Sequence, residues 1–178
     1  MQDPQDLSGG ELGSIVYPSA SPFEIHHILC KLGDAVEHPV FGSLLVPEKP
    51  PDGRMPCVIA VHGSLNWRGH HHEHIVRWLE QGICVFRVHS FDARSVYSVV
   101  EDQMQVTHAM MLADCYQALR MLSTHPSIDP SRIGIAGWSL GGTVALYAAW
   151  EPVAEALAPA GERFAAHLSF YPAAHMRT

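Results

Sequence analysis

Residues 132–150 read RIGIAGWSLGGTVALYAAW, and this stretch decides the fold. The apolar run Arg132 to Ala136 has the composition of a strand, and Leu140 to Trp150 that of an apolar helix. Between them lies Gly137-Trp138-Ser139-Leu140-Gly141-Gly142, a G-x-S-x-G pattern at a strand-to-helix turn. A serine there sits on a sharp turn, expected at positive φ, with its hydroxyl projecting above the sheet edge. Gly137 and Gly141 are small because backbone crowds the turn. The helix that follows aims its first amides at the place where an oxyanion would develop. The pattern therefore nominates Ser139 as a nucleophile and the Leu140 N–H as one oxyanion donor.

Upstream, Cys57 to Val61 is a continuous apolar run ending at His62-Gly63-Ser64, as in a parallel strand covered on both faces. The loop after that strand is the place for a second oxyanion amide, assigned to Ser64 with Leu65 as the fallback. His62 is read as a structural histidine holding the loop. The spacing of Ile75, Val76, Trp78 and Leu79 predicts a helix over 74–81, capped by Gly82. Ile83 to Val88 reads as a strand, 90–100 as a loop, and Asp102 to about Ser123 as a long helix. Pro126 to Pro130 breaks the chain, and Phe164 to Tyr171 reads as a last strand. Nearer the start, Phe23 to Leu32 and Val40 to Val46 read as an antiparallel pair of strands, and 47–56 as an exposed loop. Residues 1 to 20 read as a flexible tail, leaving 21–178 as one domain. Alternating strands and helices predict an α/β architecture in three layers, a mostly parallel sheet with helices on both faces.

The runs Asp114-Cys115-Tyr116-Gln117-Ala118-Leu119-Arg120, Ile128-Asp129-Pro130-Ser131-Arg132-Ile133 and Gly137 to Gly142 resemble the dienelactone hydrolase family of α/β-hydrolases. The loop Ser90-Phe91-Asp92-Ala93-Arg94 and Ser169-Phe170-Tyr171-Pro172 match it too, so the resemblance runs from about residue 23 to the end. It implies a cofactor-free hydrolase acting on a small ester or lactone. Dienelactone hydrolase itself carries cysteine where this chain has Ser139. The resemblance also places Arg94 where that enzyme binds a substrate carboxylate.

In this fold the acid and the histidine follow the nucleophile. After Ser139 the chain offers Glu151, Glu155, Glu162, His167 and His175, none in a suitable position, with His167 read as packed inside a strand. The resemblance thus implies a domain that stops short of its last two strands, catalytically incomplete, with one sheet edge exposed. A serine lacking its base keeps only the residual catalysis of oxyanion hole and binding.

Composition bounds the alternatives. The chain has 178 residues, 47% hydrophobic and 16% charged, as in a globular domain. A net charge of −7 without a basic run argues against nucleic acid or an anionic membrane as partner. Neither an apolar run long enough to span a bilayer nor an export signal appears, so the expected location is cytoplasmic. The four cysteines form no CxxC pair and are expected to be buried, reduced thiols. No GxGxxG or GxxxxGK[ST] occurs, so no nucleotide cofactor is expected. His70-His71-His72-Glu73-His74 contains H-x-x-E-H, which raises a zinc-dependent hydrolase as an alternative. The stretch is histidine-rich and lacks an evident third ligand, so a solvated helix start is the simpler reading. A non-catalytic binding module of the same fold is the remaining alternative.

Overall fold

The computed structural model describes residues 5–173. Its sheet has six strands in the order β1-β2-β4-β3-β5-β6. These are β1 (Gly13–Ala20), β2 (Glu37–Leu45), β3 (Met55–Val61), β4 (Cys84–Val88), β5 (Ile128–Trp138) and β6 (His167–Phe170). β4, β3, β5 and β6 run parallel, while β1 and β2 join antiparallel at one side. The helices are α1 (Ile25–Lys31), α2 (Gly69–Glu80), α3 (His108–Leu122), α4 (Leu140–Tyr147) and α5 (Glu151–Leu157).

Strand period 2 divides the core. Cys57, Ile59 and Val61 of β3 face one side, where they join residues of α1, α3, α4 and α5 in one apolar cluster. Ala60, Val85 and Trp138 face the other side and pack with Ile75 of α2, Trp67 and Trp78. The result is the three-layer α/β arrangement expected of the sequence. Helix α3 is buried along almost its whole length, polar Asp114, Gln117 and Arg120 included.

Several boundaries differ from the sequence reading. Residues 13–20 are not part of a tail but pair with β2 from Gly13↔Leu44 to Ala20↔Glu37. Ile15 and Tyr17 turn inward, and Leu7 ahead of the strand is fully buried. Pro18 is tolerated because β1 is an edge strand. Phe23 to Leu32 contains helix α1 rather than a strand, because Ile25 and Ile28 recur at helical spacing and both are buried. Helix α3 starts six residues later than expected, where the Thr107 side chain accepts from Met110 N and caps it. The apolar helix after Ser139 stops at Tyr147, and α5 is a separate helix with Pro152 in its first turn. All four cysteines are free; Cys57, Cys84 and Cys115 are buried, but Cys30 lies on the exposed side of α1.

Candidate active site at the β5–α4 turn

Ser139 links β5 to α4 with φ 54° and ψ −113°. For a residue with a Cβ this conformation costs about 1–3 kcal/mol, so its surroundings must impose it. The Ser139 N–H donates to the Phe170 carbonyl of β6 at 3.0 Å, and its carbonyl accepts from Thr143 N at 2.9 Å. Glycines let the turn close. A Cβ on Gly137 would collide with the Gly141 carbonyl, and one on Gly141 with the Val61 and His62 carbonyls. The first turn of α4 therefore lies directly on the strand ends.

The loop after β3 meets the same turn. A Cβ on Gly63 would stand 3.1 Å from the Trp138 carbonyl and 3.4 Å from Ser139 Cβ. The next residues form a tight turn, with Asn66 N donating to Gly63 O at 2.9 Å and Asn66 at φ 64°. Asn66 fixes the turn twice: its Oδ1 accepts from Trp67 N and its Nδ2 donates to Asp92 Oδ1, both at 2.8 Å. The Ser64 carbonyl accepts from Val99 N at 3.0 Å and Ser98 Oγ at 3.1 Å. Among the described residues, nothing accepts from the Ser64 or Leu140 N–H.

Ser139 and Ser64 line one cleft of about 400 Å³, with Leu65, Val100 and Trp138 on its apolar side. Its polar wall carries Arg68, His70, His71, Gln103 and Tyr171, and no carboxylate among the described residues. Arg68 stands over the Tyr97 ring at 5.7 Å and makes no ion pair with a described residue. Tyr171, at φ 36°, hydrogen-bonds His70 Nε2 at 3.2 Å. Motif reading did not single out Arg68 or Asn66, since loop positions carry no periodicity, and it met Tyr171 only as part of the run Ser169 to Pro172.

Arg94, which the resemblance places at a substrate carboxylate, has hydrogen-bond partners within the fold. Its guanidinium grips buried Asp114 at 2.8 and 3.0 Å and also donates to Ser90 O and Ser21 Oγ. It does not line the Ser139 cleft. The cost of desolvating the cation there is offset chiefly by that carboxylate.

The histidines are dispersed in role. His62 is fully buried, its Nδ1 near Gly63 O and its ring against Phe91 and Trp67. Burial lowers its pKa from 6.5 to about 4, so it is a neutral packing element. His71 accepts from Arg68 N at 2.9 Å, and burial, then His70, pull its pKa to about 3. His74 packs on Trp138 and Phe170. Among the described residues no three groups converge as a metal site. Glu151 pairs with Arg163 at 2.6 Å and Glu162 with Arg120 at 3.7 Å, both away from the cleft. His167 is exposed on β6 with its ring against Phe164, rather than packed into the interior. His175 lies outside the described residues. No described imidazole hydrogen-bonds Ser139.

The comparisons bear on the fold. Residues 107–178 match the model of the family described as alpha/beta hydrolase fold. An acetyl xylan esterase from Paenibacillus sp. R4 superposes with a TM-score of 0.55 at 20% identity, over 90% of this chain and 49% of that one. A Klebsiella pneumoniae protein assigned as a dienelactone hydrolase gives 0.51 at 21% identity, over 79% of this chain and 56% of that one. The non-reducing polyketide synthase ascC of Acremonium egyptiacum is 26% identical over 94% of this chain and 8% of its own length. The chain thus has the α/β-hydrolase fold and spans about half of those solved chains and a small part of that synthase. Among the described residues, no helix is long and apolar enough to cross a membrane.

Proposed function

We propose that this chain carries the nucleophile and oxyanion site of a serine hydrolase acting on a carboxylic ester or lactone of a small molecule. The observation that supports it best is Ser139 at positive φ, with the Gly63–Ser64 loop packed against it. In this reading Ser139 Oγ attacks the carbonyl carbon, and the Leu140 and Ser64 N–H groups bind the resulting oxyanion. Each such donor is worth about 10²–10³ in rate. The proton acceptor and its carboxylate come from outside residues 5–173, because no described imidazole reaches Ser139. A cofactor-free site in the cytoplasm fits the composition.

The test is labelling with a fluorophosphonate probe, followed by peptide mapping. The 178-residue chain should label slowly at Ser139, and Ser139→Ala should remove that adduct. Fast labelling at Ser139 would show a base within the chain, and loss of the fast phase in His175→Ala would locate it. A second reading, a binding module that keeps the fold without turnover, is favoured by the same missing imidazole. It expects no adduct at Ser139 even after long incubation.

A further inference from the structure

We infer a second reactive serine, Ser43, activated by a hydrogen-bonded relay through His89 to Asp92 and suited to anionic, activated acyl donors. Three elements assemble it: Ser43 on β2, His89 just beyond β4, and Asp92 in the 3-10 turn Asp92–Arg94. It is independent of Ser139, and neither Ser43 nor His89 lines the Ser139 cleft.

The geometry has the directionality that nucleophile activation needs. Ser43 Oγ lies 3.0 Å from His89 Nε2, and His89 Nδ1 lies 3.1 Å from Asp92 Oδ2. A carboxylate only accepts, so the proton of the ring sits on Nδ1. Nε2 then carries the lone pair and accepts the Ser43 hydroxyl hydrogen. Asp92 is itself oriented by Asn66 Nδ2 at 2.8 Å. The ring is held flat by Phe41, stacked at 4.8 Å and 12°, with Trp67 tilted at 6.2 Å. Burial lowers the His89 pKa against the opposing pull of Asp92, which keeps the ring neutral and able to take a proton.

A cation completes the site. Arg87 is the direct cross-strand partner of Ser43, so the two side chains leave the sheet on one face. Its guanidinium stands 4.6 Å over Trp67 and pairs with no carboxylate among the described residues. Its buried Nε has no acceptor. A half-buried cation that feels the Asp92 carboxylate only at a distance, with no close ion pair among the described residues, beside a serine whose proton has somewhere to go, fits a substrate that supplies further negative charge. Ser43 is half-buried rather than enclosed, and the Asp92 side chain is 43% exposed, so a small reagent can reach the relay.

An acyl phosphate meets these requirements. Ser43 Oγ attacks its carbonyl carbon while the hydroxyl proton passes to His89 Nε2. The bond from that carbon to the phosphate oxygen then breaks. Phosphate leaves with the proton from His89, and an O-acyl-serine ester remains on residue 43. No oxidant or metal enters this balance.

The experiment incubates the 178-residue chain with acetyl phosphate and maps acetylated peptides by tandem mass spectrometry. The result expected is acetylation at Ser43 far faster than at exposed Ser131. His89→Gln and Asp92→Asn should slow it by about 100-fold, the usual scale of general-base assistance. Arg87→Met should slow acetylation by acetyl phosphate while leaving that by neutral p-nitrophenyl acetate at the same site in place. Circular dichroism of each variant checks that the sheet is intact. Absence of a Ser43 adduct, or an equal rate in folded His89→Gln, overturns the inference and leaves the relay as a tie between β2, β4 and the turn. Because adducts are mapped by peptide, the outcome at Ser139 is read separately.

Discussion

Replacing Asp114 by alanine should be among the most damaging single substitutions in this chain. The carboxylate is fully buried and accepts from Ser19 Oγ at 2.6 Å, Ser90 Oγ at 2.6 Å and both terminal nitrogens of Arg94. It ties β1, the loop after β4 and helix α3 together. Arg94 is 8% exposed, so the substitution strands a guanidinium in the interior rather than returning it to water. Breaking such a pair on one side costs about 3–5 kcal/mol. With a urea m-value near 2 kcal/mol/M, the unfolding midpoint should fall by about 2 M. Tryptophan fluorescence reads the transition, since buried Trp138 reports the packing of α2 on the sheet. Arg94→Met should cost a comparable amount, and the double variant Asp114→Leu/Arg94→Met should recover most of the loss, since no charge then stays buried. A midpoint shift under about 0.25 M for either single variant would refute the reasoning, because surface substitutions stay within about 0.5 kcal/mol. It would return Arg94 to the role of a free substrate-binding cation.

Two further outcomes follow from the same contacts. His62 has a folded pKa of about 4 against 6.5 unfolded, so the unfolded chain binds the extra proton between those values. Stability is then highest above pH 6.5 and falls as pH drops towards 4, by about 2 kcal/mol from this group between pH 7 and 5. Urea titrations at the two pH values measure the slope, and His62→Gln should flatten it; an unchanged slope would mean that His62 is not the group responsible. Gly141→Ala should destabilise by at least about 2 kcal/mol, because its Cβ meets the Val61 and His62 carbonyls. Gly69→Ala at the start of α2, where a Cβ meets nothing within 4 Å, should be neutral or stabilising, and equal melting temperatures for the two variants would contradict the packing of α4 on the strand ends.

What the sequence disclosed follows the physics of each element. β3 was legible because a parallel strand buried on both faces is a continuous apolar run, Cys57 to Val61, and β4 because Cys84, Val85, Phe86 and Val88 leave only Arg87 polar in a short run. β1 was hidden because Gly13, Ser14, Pro18 and Ser19 mask the alternation of Ile15 and Tyr17, and its partner β2 begins only at Glu37. In α1 the two-residue step from Ile28 to Cys30 imitates a strand, and only the burial of Ile25 with Ile28 reveals the helical period. Ser139 and Leu140 could be proposed because a strand-to-helix glycine pattern is local in sequence, and Ser64 because it directly follows the apolar run Cys57 to Val61 and its His62-Gly63 end. The fate of Arg94 was not, since the choice between substrate and Asp114 is made by a residue 20 positions away. The Ser43 relay was invisible for the same reason, as its serine and histidine are 46 positions apart.

The two serines divide between them what a hydrolase combines in one place. Ser139 sits at φ 54° on the turn from β5 to α4, in our proposal beside the Leu140 and Ser64 amides, and it lacks a proton acceptor among the described residues. Ser43 has an acceptor and a neighbouring cation, and it sits within the strand β2, paired on both sides by β1 and β4. General-base assistance contributes about 10²–10⁴ in rate, and each oxyanion donor about 10²–10³. The missing term decides which electrophile each serine can use. Without a base, Ser139 gains most where binding of the developing oxyanion dominates, as with phosphonyl probes that resemble the tetrahedral state. Without an oxyanion hole, Ser43 needs a carbonyl activated by its leaving group, with Arg87 to hold the anion. Opposite preferences of the two serines for these reagents, read in one mapped digest, follow directly from that division.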